Sequence, residues 1–445
     1  MVRPCRLCCV TLLAMSLAGP TYAAPSAGEK VRAALTDGRI ALKLSTPEAL
    51  AQVLGAPDQR AEPERDGGQL LLRLQYGGVK ALFARSAEEE VPFTLRRLVV
   101  GDRVWRVGDA DVIHLRDRGD LARLDRFNGY QRINLDRLDL RGDLEVLARV
   151  SFDTLTRWPA ADRLPPGFDP ARRIEHGRNP GLGVRTLHAA GLDGRGVGLA
   201  IIDQPLLLGH REYADRVVRY DASGMLGIPP QMHGPPVTSI AVGATLGVAP
   251  RAELSYFAVP MWTPDNRPMV AALERILELN RTLPEGQKPR VVSVSTGMFP
   301  SYAHHDAWKQ MRDRAEAQGV LVVTCDSEPM LYGALTRLPG GDPDDPKSWA
   351  AAGWARKGEV LRVPTTRTIA SYRGPDVYTF DFEGGLSWAA PYLAGLGAIA
   401  FQIDRRITPA RIRALLVSTA TKTDAGAVVD PGAFVAAVKR GVPKR

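Results

Sequence analysis

The stretch Gly196-Val197-Gly198-Leu199-Ala200-Ile201-Ile202-Asp203 is a short apolar run that ends in a carboxylate. An uninterrupted aliphatic run of this length is typical of a strand buried on both faces of a sheet. Similar runs recur along the chain and alternate with segments of helical length. The runs occupy residues 254–259, 291–294 and 320–323, and the helical segments occupy residues 269–280, 306–318 and 388–402. This alternation predicts an α/β fold in which helices cover both faces of a mainly parallel central sheet.

Asp203 and His233 are the first two candidate site residues. Asp203 ends the strand, and α/β enzymes place site residues at the carboxyl ends of parallel strands. His233 precedes Gly234 and an apolar helical pattern, so we expect it at the start of a helix that faces a cleft. Taken singly, each residue has an ordinary structural interpretation, as a strand-terminating aspartate and as a hydrogen-bonded structural histidine.

Ser387 is the third candidate. It precedes residues 388–402, whose apolar side chains on all sides predict a buried helix. A serine at the N-terminus of such a helix lies beside free N–H groups and the positive end of the helix dipole, and both favour a developing oxyanion. A simple N-cap is the structural alternative. Together, an aspartate, a histidine and a serine supply the orienting group, the base and the nucleophile of acyl transfer.

The sequence around these residues, taken as a set, resembles the subtilisin-like serine peptidase family. Gly247-Val248-Ala249-Pro250 resembles the family's segment after the histidine helix, and Ser295-Thr296-Gly297 resembles its substrate-pairing strand. The pattern that starts at Thr408-Pro409 resembles its C-terminal helix. The resemblance covers roughly residues 181–435 and implies the subtilisin-like three-layer fold.

The resemblance also implies an activity and the residues that perform it. It assigns catalysis to Asp203, His233 and Ser387, and substrate-backbone binding to Ser295, Thr296 and Gly297. The implied function is an endopeptidase that hydrolyses peptide bonds. Departures from the family pattern flank each catalytic candidate: Gln204-Pro205 after the aspartate, Pro235 after His233-Gly234, and Leu386 and Trp388 beside the serine.

The family's oxyanion asparagine is the most serious departure. The strand at 319–323 runs into Thr324-Cys325-Asp326-Ser327-Glu328, which contains no asparagine. Some relatives have an aspartate at this place, so Asp326 is the candidate oxyanion group by resemblance, with Ser327 as the alternative donor. An aspartate donates a hydrogen bond only when it is protonated. Loss of one such donor typically slows turnover about 100- to 1000-fold, which predicts a slow enzyme rather than an inactive one.

Residues 1–23 have the parts of an export signal. Arg3 and Arg6 precede an apolar run at 7–18, and small residues at 21–23 form a cleavage context. The run is short for a membrane span, and we expect no later segment long and apolar enough to span. The prediction is an exported protein, periplasmic or extracellular, with no integral membrane segment after signal cleavage; an uncleaved anchor is the alternative. Cys325 alone remains after cleavage, which excludes an intramolecular disulfide.

The sequence pattern divides the chain into two predicted domains. Residues 24–175 form an N-terminal accessory domain of α+β type, in which Thr46 caps a short helix and Gly77-Gly78 turns a hairpin. Residues 158–180 are rich in proline and glycine, which favours extended backbone, so the boundary is placed there. Residues 181–440 form the peptidase domain.

Composition limits the cofactors and partners. The net charge of +9 is spread over 58 basic and 49 acidic residues, which argues against a dedicated nucleic-acid surface. We expect no required cofactor and no metal site; a structural calcium ion is compatible with the fold but is not indicated, because no calcium loop of recognisable spacing occurs. The expected partner is a polypeptide substrate. The oligomeric state is left open.

Two rival functions stay open. The missing asparagine and the altered flanks fit a catalytically weak or inactive binding protein on the subtilisin fold. Retention of an aspartate, a histidine and a serine argues against that rival, because a binding protein needs none of the three. An unrelated α/β ligand-binding protein with a chance triad is the second rival, and the joint match of all the flanking segments disfavours it.

Overall fold

A computed structural model describes residues 25–36, 39–40, 45–66, 69–86, 94–100, 103–106, 113–114, 133–223, 225, 228–261, 263–326, 328–353 and 360–442. The chain forms two compact units, Met1–Trp105 and Arg106–Arg445. The predicted export signal, residues 1–23, lies outside the described residues. The two units are described separately.

The smaller unit is an α+β structure. Its described elements are α1 (Ala27–Thr36), α2 (Pro47–Leu54), β1 (Gln59–Arg60), β2 (Glu64–Asp66), β3 (Gln69–Tyr76), β4 (Val79–Ser86), β5 (Thr94–Val100) and β6 (Arg103–Arg106). The strands form one sheet in the order β1-β3-β4-β5-β6, with β2 also paired to β3. The predicted hairpin is present, because Tyr76 pairs with Val79 across the glycines. The predicted cap is present too, since Thr46 Oγ1 accepts the Ala49 N–H at 3.4 Å.

The larger unit contains the remaining described elements. Its helices are α3 (Leu144–Leu147), α4 (Pro170–Gly177), α5 (Val184–Ala189), α6 (Gly234–Val242), α7 (Arg267–Leu279), α8 (His305–Ala317), α9 (Leu386–Ile403), α10 (Pro409–Ser418) and α11 (Pro431–Gly441). Its strands are β7 (Ile113–His114), β8 (Ile133–Asn134), β9 (Phe152–Asp153), β10 (Gly198–Asp203), β11 (Val217–Asp221), β12 (Glu253–Ala258), β13 (Pro289–Val294), β14 (Leu321–Thr324), β15 (Tyr332–Arg337), β16 (Trp349–Ala351), β17 (Leu361–Pro364), β18 (Arg367–Ala370), β19 (Tyr378–Asp381), β20 (Thr421–Thr423) and β21 (Gly426–Val428).

The central sheet is parallel and has the strand order β11-β12-β10-β13-β14. Successive side chains of a strand point to opposite faces, and β10 follows this rule. Leu199 and Ile201 pack into one hydrophobic cluster with α6 and α9, and Ile202 packs into a second cluster with α7 and α8. Helices therefore cover both faces, which confirms the predicted three-layer α/β fold.

Helix α9 crosses the core of the larger unit. Its 18 residues have the length and apolar composition of a membrane span, so the prediction that no segment beyond the N-terminus has these properties is wrong. The helix is apolar because 78% of that window is buried inside the protein, where α9 contacts α6, β13 and β14. Gly395 and Gly397 permit this packing, since a Cβ atom at these positions would lie 2.5 Å from Val248 and 2.6 Å from Leu321.

The structure divides the chain earlier than the boundary predicted at residues 158–180. The segment before that boundary is built into the larger unit: β9 pairs with β19 through Phe152 and Phe380, and the Leu135 N–H donates to the Arg157 carbonyl. Helix α4 packs on β18 and β19. The predicted extended backbone is wrong for residues 170–177, which form α4 with Asp169 as its N-cap and Pro170 in its first turn. The segment packs within the larger unit instead of forming a linker.

Besides a two-stranded parallel pair, β7-β8, two further sheets complete the larger unit. One has the order β16-β15-β17-β21-β20, and the other has the order β18-β19-β9. The second of these matters for the candidate site, because β19 ends at Asp381 and α9 begins at Leu386. The four residues between them form the loop that leads to Ser387.

Candidate active site

Asp203 and His233 form a hydrogen-bonded pair. Asp203 is the last residue of β10, which lies in the middle of the central sheet, and its side chain is fully buried. His233 is the N-cap residue of α6 and is 16% exposed. The His233 Nδ1 and Asp203 Oδ1 atoms are 2.7 Å apart. A carboxylate accepts only, so this bond fixes the proton on Nδ1 and leaves Nε2 as the acceptor of the neutral ring.

Close packing fixes the start of α6 against β10. A Cβ atom at residue 234 would lie 2.4 Å from the Tyr256 hydroxyl and 2.5 Å from the Gln204 carbonyl, so only glycine fits there. The Tyr256 hydroxyl also donates to the Gln204 carbonyl. Burial raises the pKa of Tyr256 well above its ordinary value, and the charge of Asp203 adds to the effect, so the phenol stays protonated. These contacts hold His233 beside Asp203.

The second oxygen of Asp203 has no hydrogen-bond partner among the described residues. Oδ1 accepts both the His233 ring N–H and the Gln204 N–H, the latter at 2.7 Å, while Oδ2 is buried and unpaired. The residue after Gln204 is Pro205, which has no N–H to donate. Among the described residues, hydrogen bonds therefore hold the carboxylate through one oxygen alone.

Ser387 is in the first turn of α9. Its backbone N–H is one of the helix's initial N–H groups, which have no acceptor within the helix. Its hydroxyl donates to the Ser295 carbonyl at 3.0 Å. Among the described residues no hydrogen bond joins Ser387 to His233. The contact between the two segments is made by Trp388, whose ring lies 5.5 Å from the His233 ring, centroid to centroid.

Asp381 anchors the loop before Ser387, and sequence analysis missed it. Its Oδ2 accepts the Trp388 indole N–H at 2.8 Å, and its Oδ1 accepts the Gly384 N–H at 3.1 Å. The Ser151 hydroxyl lies 3.2 Å from Oδ1 and also accepts the Phe382 N–H at 2.9 Å. This buried arrangement, formed by Asp381, Trp388 and Ser151 and here named the Asp381 anchor, fixes both ends of the loop. The only sequence signal for it was the tryptophan beside the serine.

The predicted substrate-binding segment lies beside Ser387. The Ser295 carbonyl accepts the Ser387 hydroxyl, and the Thr296 carbonyl accepts the Cys325 N–H at 3.0 Å. Gly297 lies against the half-exposed ring of Phe299, because a Cβ atom at Gly297 would be 2.9 Å from that ring. Phe299 is therefore a further candidate for contact with a substrate.

Asp326 adjoins the same segment. Its Oδ1 accepts the Met298 N–H at 2.6 Å, and its Oδ2 accepts the Thr324 hydroxyl at 3.0 Å. Both oxygens thus act as acceptors, whereas the predicted oxyanion role requires a donor. The alternative donor, Ser327, lies outside the described residues. In the described ranges no group of three or more His, Cys, Asp or Glu side chains is placed to hold a metal ion.

Comparison with known proteins finds similarity to subtilisin-like proteases. The subtilisin-like protease PopC of Myxococcus xanthus (strain DK1622) is 25% identical over 283 residues, which are 54% of this chain and 58% of that protein. Subtilisin-like protease 3 of Pseudogymnoascus destructans (strain ATCC MYA-4855 / 20631-21) is 23% identical over 335 residues, 69% of this chain and 78% of that protein. This chain thus spans less than two thirds of the length of PopC.

A solved structure and a protein family also match this chain. The prenylagaramide maturation protease PagA has a TM-score of 0.44 and 15% identity, over 57% of this chain and 98% of that chain. Residues 194–433 match the subtilase family, Peptidase_S8. That range is more than half of the sequence and contains the Asp203–His233 pair and Ser387. Membership in this family supports a serine-type protease. The chain belongs to the subtilase family.

Proposed function

We propose that the protein is an exported serine endopeptidase that cleaves polypeptides through Asp203, His233 and Ser387. The observation that carries the proposal is the 2.7 Å contact between His233 Nδ1 and Asp203 Oδ1, at the carboxyl end of the central strand. Family membership supports the reaction class. The sequence of residues 1–23 supports export.

His233 is the general base in the proposed mechanism. With Nδ1 protonated by its bond to Asp203, the lone pair of Nε2 is free to take the serine proton. The Ser387 hydroxyl donates to the Ser295 carbonyl in this structure, so it must rotate about its Cα–Cβ bond to reach His233. Ser387 then attacks the scissile carbonyl, and the imidazolium, stabilised by Asp203, returns the proton to the leaving amine.

The oxyanion would receive one donor from the backbone. The N–H of Ser387 lies at the positive end of α9, where a developing negative charge is stabilised. Asp326 would be the second donor only after it gains a proton and releases the Met298 N–H or the Thr324 hydroxyl. The arrangement of Asp326 therefore favours slow turnover and keeps the alternative, a weak or inactive subtilisin-fold binding protein, in consideration.

A serine-directed phosphonate probe tests the nucleophile. We expect covalent labelling of the wild-type protein and of Ser301→Ala, a variant at an exposed serine, and no labelling of Ser387→Ala. Equal labelling of Ser387→Ala would refute the assignment. No labelling of the folded wild-type protein would favour the binding-protein alternative.

A substitution at Asp326 tests the oxyanion hole. Asp326→Asn supplies a permanent donor, so peptide hydrolysis at neutral pH should be faster than in the wild type, by up to the roughly 100- to 1000-fold that one donor typically contributes. Asp313→Asn, on the exposed face of α8, is the matched control and should hydrolyse peptide at the wild-type rate. A slower Asp326→Asn enzyme at every pH would exclude Asp326 as the donor.

A further inference from the structure

A cavity of about 780 Å³ opens in the larger unit, away from the residues assigned to catalysis. Arg173 of α4 and Arg337 of β15 line it. Aromatic rings line it as well, those of Phe168, Phe380 and Phe382. The volume is in the range of small-molecule sites, which combine apolar walls with a few charged groups.

Three arginines at and behind this cavity, here named the arginine cluster, are Arg173, Arg337 and Arg367. Arg337 is 6% exposed and Arg367 is 2% exposed. Arg337 lies 5.9 Å from the centroid of the Trp349 ring, and within the described chain its guanidinium has neither a hydrogen bond nor an ion pair. Arg367 donates one bond, to the Leu246 carbonyl at 3.3 Å, while its Nε and Nη1 atoms are buried and unpaired.

Arg173 is held only by neutral groups. Its guanidinium donates to the carbonyls of Leu147 and Ala148 and stacks over Phe380 at 4.6 Å. Burial lowers the pKa of Arg173, Arg337 and Arg367 to about 10 in each case, and the charge of Arg337 contributes to the lowering at the other two. All three are therefore protonated at neutral pH, and the charge of Arg337 repels the other two.

The nearby carboxylates have other partners. Asp169 accepts the Arg172 N–H at the start of α4, at 3.0 Å, and Glu175 pairs with Arg178 at 2.9 Å. Asp344 accepts the Gly183 N–H at 2.8 Å. In the described part of the chain no carboxylate forms an ion pair with the arginine cluster. The charges of Asp342 and Asp344 oppose the lowering of the Arg337 pKa, but among the described residues neither carboxylate forms an ion pair with Arg337. Buried charges in proteins are ordinarily paired, so the cluster lacks a directly bonded anion.

We infer that the cavity binds a small amphipathic anion, with its charged head against Arg337 and Arg173 and its apolar body against the phenylalanine rings. The head is a carboxylate or another oxyanion of similar size, because guanidinium groups bind such heads through paired hydrogen bonds. The apolar body follows from the phenylalanine rings that also line the cavity. This inference does not depend on the proposed peptidase activity.

Octanoate is the probe, and thermal unfolding and calorimetry are the readouts. We expect octanoate to raise the melting temperature of the wild-type protein saturably, since a ligand that binds only the folded state stabilises it. 1-Octanol, which lacks the charge, and inorganic phosphate, which lacks the apolar body, should each bind at least tenfold more weakly. Equal stabilisation by octanol would overturn the inference, and so would equally tight binding of phosphate.

Substitutions localise the site. Arg337→Gln should bind octanoate at least tenfold more weakly and should be no less stable than the wild type without ligand, because it removes an unpaired buried charge. Arg185→Glu, at an exposed residue lining the same cavity, should weaken octanoate binding severalfold even if Arg337→Gln fails to fold. The control Arg251→Gln, at an exposed arginine elsewhere, should bind as the wild type does. Unchanged affinity in both lining variants would refute the site.

Discussion

Trp388→Phe is the substitution that most directly tests how the catalytic loop is held. Phenylalanine keeps a ring against His233 but removes the indole N–H that Asp381 Oδ2 accepts at 2.8 Å. Hydrogen bonds to charged groups contribute about 1.5–3 kcal/mol, and both residues are buried. We therefore expect the free energy of unfolding to fall by about 2 kcal/mol.

The expected shift of the melting temperature follows from the size of the larger unit. Unfolding entropy of roughly 2.1 cal/mol/K per residue, over about 340 residues, makes 2 kcal/mol equivalent to about 3 °C. Loss of the Trp388–Asp381 hydrogen bond should also slow turnover, because the Asp381 anchor fixes the ring that packs on His233. We expect kcat to fall severalfold and KM to stay unchanged, since the Trp388 side chain is buried.

Trp349→Phe is the matched control for the same chemical change. The Trp349 indole donates to a neutral acceptor, the Pro343 carbonyl, at 3.1 Å, so its loss should cost only about 0.5–1.5 kcal/mol and leave kcat unchanged. Urea denaturation and hydrolysis of a fluorogenic peptide measure the two quantities. The reasoning is refuted if the two variants lose the same stability and both retain wild-type kcat.

Two further predictions concern histidines. Burial lowers the pKa of His210, whose Nδ1 accepts the Glu212 N–H and whose Nε2 contacts the Val377 carbonyl, so the unfolded chain binds the proton more readily and the His210 contribution to stability is complete above pH 6.5 and lost as the pH falls below it. His210→Gln should flatten this loss by up to about 1.4 kcal/mol per pH unit, measured by urea titrations at pH 7.5 and 5.5. An unchanged dependence of stability on pH would contradict this. Gly234→Ala should cost about 1–3 kcal/mol and lower kcat, because its Cβ would meet the Tyr256 hydroxyl and displace His233; native stability by urea denaturation would show that the packing is looser than described.

Much of the fold could be predicted from sequence because burial determines where apolar residues occur along each strand and helix. The run at 197–203 is apolar throughout because both faces of β10 are covered, and Tyr76 and Val79 pair because two glycines turn the chain between them. The Asp203–His233 contact joins residues 30 positions apart, each at the end of a regular element. Such contacts follow once the elements are assigned.

The polar contacts of the loop could not be predicted in the same way. The Ser151 hydroxyl meets Asp381 across 230 residues of sequence, and neither residue belongs to a motif. Composition also misled at residues 158–180, where proline and glycine predicted extended backbone between two domains. Residues 170–177 form α4 instead, and this helix packs within the larger unit. Only tertiary pairing of β9 with β19 settles the division of the chain.

The departures that flank Asp203 and Ser387 affect the same imidazole. Beside Asp203, Pro205 has no N–H to donate. Among the described residues one oxygen of the carboxylate is unpaired, and the other accepts the His233 ring N–H. A single hydrogen bond restrains a ring less than a bond combined with packing on its face. Trp388 supplies that packing, and its own orientation is fixed by Asp381. His233 is therefore restrained by two elements, β10 and the loop before α9. Asp203 holds it through a hydrogen bond, and Asp381 holds it through the Trp388 indole.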